Sequence, residues 1–373
     1  MIILVEQFRH YKNGRGIKMD LKMLERLCNA DGVSGQEKEV TRIVKEYLEP
    51  LVDEVMYDNI GSIVGVKKGK GTLKVLLTGH VDEIGMIVSE IDEKGFVRVN
   101  QCGFLFAHAL SAQDVVLTTR EGKKLYGVIG THAKDPDFNL GKDTIPVSDV
   151  VVDFGVASKQ ELVDLGVRIG DPIVMAPMFR EMNNPDYLTA KSFDDRIGVG
   201  MFLEVAKALK DEDLDATVYF AGTVQEEVGL RGAKTVSQMV QPDIAFALDV
   251  YPCNDNPNDP KSDFQLGKGI GISIMDTSSI SHVGLVHVLE DIGDECGYPY
   301  QPILINRGGT DAGEMHKAGS GMPTVSICVP NRYVHTCRSM IHKKDYQSGI
   351  DILVEFIKRA NKDLFEKILD ERR

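Results

Sequence analysis

Several features are missing from this sequence, and each absence removes a class of protein. The six cysteines (Cys28, Cys102, Cys253, Cys296, Cys328 and Cys337) are scattered and form no C-x-x-C pair. In a chain of 373 residues that spacing argues against a disulfide framework and for reduced thiols in a cytoplasm. No apolar run approaches the length of a membrane span. The apolar stretch at residues 1–5 is too short for a signal peptide and lacks a basic flank before it. Positive charge is also scarce, with 43 Lys and Arg against 56 Asp and Glu, a net charge of −13. Neither a nucleic acid nor an anionic membrane is therefore an expected partner, since both need a basic face. Glycine (36) and proline (14) stay near background, which excludes low-complexity and collagen-like readings. The expectation that remains is a soluble cytoplasmic protein of two domains, or one large domain with an insertion.

Residues 1–18 lack periodicity, carry Lys12-Asn13-Gly14-Arg15-Gly16, and read as an extension ahead of the fold. Helical spacing begins at Met19. Ser34 and Glu37 match a capping box, followed by Val40, Ile43, Val44, Tyr47 and Leu48 on one face, and Pro50 closes that helix. Continuous apolar runs then stop at polar clusters. Residues 75–78 lead to Gly79-His80-Val81-Asp82, 218–224 to Gln225-Glu226-Glu227, 244–248 to Asp249, and 324–329 to Pro330 and Tyr333-Val334-His335. Such runs suit strands covered on both faces. The stripes Phe202, Val205, Ala206, Leu209 and Ile350, Leu353, Val354, Ile357 supply covering helices.

Between about residues 84 and 187 the rhythm changes. Short strands are expected at 96–99, 114–119, 124–129, 150–154 and 173–175, with one helix near 158–165 and turns at Glu121-Gly122 and Gly170-Asp171-Pro172. The expected fold class is α/β: a helix-covered mixed sheet formed by residues 19–84 and 187–373, interrupted by a small inserted β-barrel, residues 85–186.

Ligands in open α/β sheets bind beyond the carboxyl ends of strands. His80, Asp82, Glu226, Glu227, Asp249 and His335 stand there, and Asp194 joins them in a strand-to-helix segment. Each alone is weak. A histidine at a strand end is more often structural, as read for His10, His108, His132, His282, His287 and His342, and a Glu-Glu pair is often a solvated turn. Together, two imidazoles and several carboxylates form a metal-site inventory suited to zinc or a similar divalent ion, with no cysteine needed. Five or more ligands exceed what one catalytic zinc requires. They fit two ions sharing a water and a bridging carboxylate, a part that Asp194 can play through its two oxygens.

The segments Gly79-His80-Val81-Asp82-Glu83-Ile84-Gly85, Ser192-Phe193-Asp194-Asp195-Arg196, Gln225 to Ala233, Ala247-Leu248-Asp249, Gly308-Gly309-Thr310-Asp311-Ala312-Gly313 and Arg332-Tyr333-Val334-His335 occur in this order. From about residue 20 to 360 the chain resembles the glutamyl-aminopeptidase or tetrahedral (TET) aminopeptidase family of co-catalytic metallopeptidases, some of whose members have been labelled endoglucanases. The resemblance implies roles. His80 and Asp249 would bind one metal, Glu227 and His335 the other, and Asp194 would bridge them. Asp82 would fix the His80 tautomer, and Glu226 would be the general base. Two zinc or cobalt ions per subunit, a peptide substrate with a free amino group, and a homo-oligomer on the family's dodecameric pattern are implied as well. In relatives the inserted domain mediates subunit contacts, so residues 85–186 are expected to serve assembly and access.

Three other readings compete. A glycosidase would use Glu226 and Glu227 as its carboxyl pair. Adjacent residues at a strand end point in different directions, however, and the histidines would go unexplained. A di-metal deacylase acting on acylated amino acids would share the same ligands. A non-catalytic descendant would be expected to have lost ligands, and no matched position is lost. Cys337, close after His335, is a conceivable soft ligand that the set does not need.

Overall fold

The computed structural model describes residues 19–131, 139, 142–258, 263–304 and 306–372. The expected extension, His10 and His132 lie outside the described residues.

The apolar runs form an eight-stranded mixed sheet. Across it the order is Glu54–Tyr57, Ile63–Lys67, Thr217–Thr223, Lys74–His80, Ile244–Pro252, Thr324–Asn331, Ile270–Met275 and Tyr300–Leu304. Its four middle strands, from Thr217–Thr223 to Thr324–Asn331, are mutually parallel, so their carboxyl ends share one edge. Alternate side chains explain why the runs are continuous. Val75, Leu77, Phe246 and Leu248 pack into one core, and Leu76, Ala245 and Ala247 into another on the opposite face. The helices Leu21–Asn29, Phe193–Leu209, Val283–Cys296 and Lys343–Arg359 contribute to the first core, and Arg231–Val240 with Ala312–Met315 covers the second. Small alanines on that second face let the short helices approach closely.

The middle of the chain closes into a six-stranded antiparallel barrel. Its strands run Gly85–Ile91, Val97–Cys102, Val151–Asp153, Lys124–Ile129, Asp114–Thr118 and Pro172–Met175 around the ring. Its interior is a separate apolar cluster containing Met86, Val88, Val97, Val115, Leu117 and Ile173. The α-helix Lys159–Asp164 begins where Ser158 caps it by accepting the Glu161 N–H. The chain leaves the barrel through a small third sheet in which Phe179–Glu181 and Ser339–His342 flank Tyr187–Ala190.

Two local expectations are corrected. Ser34 and Glu37 do not make a capping box. The helix begins at Lys38 with Glu37 as its cap residue and no side-chain cap bond. The Ser34 hydroxyl donates instead to Asp82 (2.7 Å), and Glu37 accepts N–H groups of Gly35 and Gln225 (2.6 and 3.1 Å). Long-range partners have taken the groups that the local pattern had assigned to one another. Likewise Asp249 does not follow its strand but lies within it, because pairing with Thr324–Asn331 carries that strand on to Pro252.

Candidate active site

Register alone aligns much of the site. Thr223 pairs with His80 and Ala247 with Thr78, which puts Asp249 level with His80 across adjacent strands. The helix Phe193–Leu209 lies almost on the strand carrying His80, since a Cβ on Gly79 would come within 2.7 Å of the backbone of Gly198 and Val199. Asp194 and Asp195 open that helix with non-helical dihedrals and a cis peptide between them. The Asp195 carboxylate accepts the N–H groups of His80 (3.0 Å) and Gly198 (2.9 Å), joining helix to strand. Behind it, buried Lys191 and Arg196 hold Glu83 (2.7 and 3.4 Å), which fixes the turn after His80.

His80, Asp194, Glu226, Glu227, Asp249 and His335 all line one cavity of about 620 Å³. Asp194 is its centre: Oδ1 lies 2.9 Å from His80 Nε2, and Oδ2 lies 3.2 Å from His335 Nε2. Glu227 Oε2 is 3.7 Å from His335 Nε2, and Glu226 Oε2 is 3.9 Å from His80 Nε2. Donor atoms of His80, Asp194 and Glu227 lie within 4.8 Å of one another, as do those of His80, Asp195 and Asp249. Asp82 sits fully buried beneath them. It accepts from Ser34 Oγ and from the N–H groups of Glu226 and Glu227 (3.0 and 3.2 Å), and its backbone oxygen is 3.2 Å from His80 Nδ1. One carboxylate thus pins the backbone of the Glu pair beside the histidine. A larger opening of about 760 Å³ lies between the barrel and the helix Lys38–Leu48, where Lys124 bridges Asp31 and Glu39. It gathers no comparable set.

So many buried acids cannot all ionise without cations. Burial and the neighbouring Asp249 push Asp195 well above the carboxylate range, and burial with Asp194 does the same to Asp249. Burial, Asp249 and Glu227 raise Glu226 likewise, while burial and Asp194 carry Glu227 to about 8. Asp194 goes the other way: burial works against its charge, but hydrogen bonds from His335 and His80 outweigh that and hold it below the usual range. Burial opposes a charged His335, yet Asp194 and Glu227 lift it to about 9. Glu227 Oε1 is buried with no hydrogen-bond partner. A buried carboxylate oxygen without a partner, on a side chain beside His335, is what a cation would satisfy.

Asp195 and Asp311 belong to this neighbourhood although the sequence reading gave them no role. Asp311 accepts from Thr223 Oγ1 (2.6 Å), and its second oxygen is buried without a partner. Burial raises it to about 6. Both stood inside quoted motifs, and an acid beside a helix start gives no sign of which way it points. Cys337 is directed away from the cavity, into the barrel's apolar core.

An α/β sheet whose carboxyl edge gathers imidazoles and carboxylates, interrupted by a barrel, defines a hydrolase class that comparison makes specific. Residues 61–352 match the family described as M42 glutamyl aminopeptidase. The chain belongs to that family and is a peptide hydrolase. It is 31% identical to the lysyl aminopeptidase of Pyrococcus furiosus, over 90% of this chain and 95% of the relative. To the glutamyl aminopeptidase of Lactococcus lactis subsp. cremoris it is 30% identical, over 92% and 97%. Among solved structures it is similar to a TET aminopeptidase from a marine sediment archaeon, Thaumarchaeota archaeon SCGC AB-539-E09 (TM-score 0.89, 35% identity, 93% of this chain and 99% of that one). It is also similar to the Pyrococcus horikoshii TET1 peptidase, described as assembling into a tetrahedron or a large octahedral shell (TM-score 0.82, 30% identity, 91% and 99%).

Proposed function

We propose that this protein is a co-catalytic metallo-aminopeptidase that removes N-terminal residues from peptides. The observation that carries the reading is Asp194, one carboxylate whose two oxygens face two different histidines at 2.9 and 3.2 Å. His80 and Asp249 would hold one divalent ion, Glu227 and His335 a second, and Asp194 both. The donor set of nitrogen and oxygen suits zinc or cobalt. Its fit is supported by the orphaned Glu227 oxygen and by acids that burial keeps from ionising on their own. When bound, the two ions supply charge neutralisation and make a shared water acidic enough to attack.

The rest falls to the chain's own residues. Glu226 is buried beside His80, has its backbone pinned by Asp82, and is left free of the ligand set. It accepts the water's proton and returns it to the leaving amine. Asp82 keeps His80 Nε2 facing the cavity. Phe104, Phe106, Tyr251 and Val334 give the cavity an apolar wall against which a substrate side chain can pack. The substrate's free amino group would sit among the remaining carboxylates, which makes the reaction exopeptidic. A related deacylase would need room for an acyl cap in place of that charge.

On the same reading residues 19–84 and 187–373 are catalytic, and residues 85–186 serve assembly and access. The chain acts as a homo-oligomer, a dodecamer on the pattern of its shell-forming relatives, in the cytoplasm, where its free thiols persist. Activity on aminoacyl chromogenic substrates, with and without N-acetylation, decides the chemistry when metal content is measured on the same sample. Hydrolysis of the free amines alone, with close to two metal equivalents, is the expected result. Preference for the acetylated series would establish the deacylase instead.

A further inference from the structure

The two histidines of the cavity are oriented by different parts of the molecule. His80 Nδ1 points at the backbone oxygen of Asp82, in the turn that follows its own strand. His335 Nδ1 donates instead to the backbone oxygen of Phe104 (2.9 Å), just past the end of the barrel strand Val97–Cys102. A carbonyl can only accept, so this contact fixes the tautomer and turns Nε2 of His335 toward Asp194 and Glu227.

The neighbouring residue leaves little room beside Glu227. Gly103 has φ +77°, and a Cβ there would lie 2.8 Å from Ile84 Cγ2, 3.2 Å from Glu227 Cβ and 3.4 Å from Glu227 Oε2. Two residues beyond His335, Cys337 is buried in the barrel core and donates its thiol to the Ala109 oxygen (3.0 Å). Two hydrogen bonds and one close approach therefore run from the barrel to one side of the cavity. Among the described residues, His80 gives its N–H to Asp195 and turns its ring nitrogens to the Asp82 backbone oxygen and to Asp194, and Asp249 accepts the N–H of Val250. A role in assembly and access accounts for none of this.

We propose that barrel residues 103–104, together with the docked thiol of Cys337, form a positioning element for one half of the metal-binding set. They seat Glu227 and His335 and leave His80 and Asp249 to the sheet. The proposal rests on the two-metal reading above. It predicts that a disturbance of this loop weakens one metal and spares the other.

The test is calorimetric titration of metal-free Gly103→Ala with zinc, beside the wild type. Alanine there adds a methyl against Ile84 and Glu227 at a positive φ. One equivalent should bind as in the wild type, and the other should weaken by about ten- to a hundredfold. Gly122→Ala is the control, because Gly122 has φ +83° in the same barrel with nothing within 4 Å of its Cβ position. Both of its equivalents should match the wild type. Equal weakening of both sites in folded Gly103→Ala, or no weakening, would overturn the proposal. Should Gly103→Ala fail to fold, Cys337→Ala asks the same question by removing the thiol anchor of the His335 loop. One equivalent should weaken by about threefold or more against an unchanged other, and an unaltered titration counts against the proposal. A wild type that takes up fewer than two equivalents overturns the two-metal reading itself, and this inference with it.

Discussion

At the scale of single residues, adjacent Glu226 and Glu227 differ in what surrounds them. Glu227 has an unpartnered oxygen and lies 3.7 Å from His335, whereas Glu226 lies 3.9 Å from His80. Glu226→Gln keeps the shape and removes the base, so turnover should fall by about two to four orders of magnitude while metal content stays near the wild-type value. Glu227→Gln should lose metal. Elemental analysis beside kinetics checks both, and the opposite pattern would mean that the pair is assigned backwards. Arg307 is the single Lys or Arg lining the cavity, and it has no ion-pair partner among the described residues. A cation there favours substrates with an acidic first residue. Arg307→Met should lower kcat/KM for glutamyl substrates by about two- to fivefold, the modest worth of an exposed pair, and leave leucyl substrates unchanged. An equal loss on both would remove Arg307 from selectivity.

At the scale of elements, what could be read from the sequence was set by local pattern. Strands buried on both faces announce themselves as unbroken apolar runs, which is why His80 and Glu226 could be placed at strand ends without coordinates. The small sheet pairing Tyr187–Ala190 with Ser339–His342 joins segments about 150 residues apart and has no local signal. Phe104 acts through a backbone oxygen, which no side-chain motif can reveal. Ser34 was legible as a helix cap and is in fact a partner of Asp82. The contact between the helix Phe193–Leu209 and its strand leaves no room for a side chain at position 79. Gly79→Ala should therefore destabilise the protein by about 1–3 kcal/mol, the range for overpacking, read by urea denaturation. In the helix Lys343–Arg359, burial raises the Asp351 carboxyl to about 6, against the pull of its hydrogen bond from Gln347. Its unfolded value is near 4. Between the two the folded state holds the extra proton, so stability falls as pH rises through about 4 to 6, and the whole cost is present above that window. Asp351→Asn keeps the Gln347 bond. It should flatten that slope and be more stable by about 1–2 kcal/mol at pH 8, as urea titrations from pH 4 to 8 would show. A slope that persists in the variant would assign it to other groups.

At the scale of the whole molecule, the cavity's acids link metal binding to folding. Glu226 and Glu227 follow the end of one strand, Asp249 lies within another, Asp194 opens a helix, and His335 sits in a loop docked on the barrel. Their mutual repulsion opposes bringing these elements together, and a cation held between them reverses its sign. Because an unfolded chain offers no such preformed site, any affinity for the ions adds to the stability of the fold. Each ion present at a hundredfold excess over its Kd contributes about 2.7 kcal/mol. Protein stripped of metal by a chelator, then freed of the chelator, should therefore melt at a lower temperature than the loaded protein by scanning calorimetry. Stepwise addition of zinc or cobalt should raise the melting temperature until two equivalents are bound per chain, with little further gain beyond that point. Magnesium should restore less, because it prefers oxygen ligands and retains its water. A melting temperature that does not change when elemental analysis shows the metal gone would mean that the acid cluster is balanced within the chain, by His80 and His335 in their charged forms. The Asp194 contacts would then be two ordinary ion pairs and not the remains of a bridge.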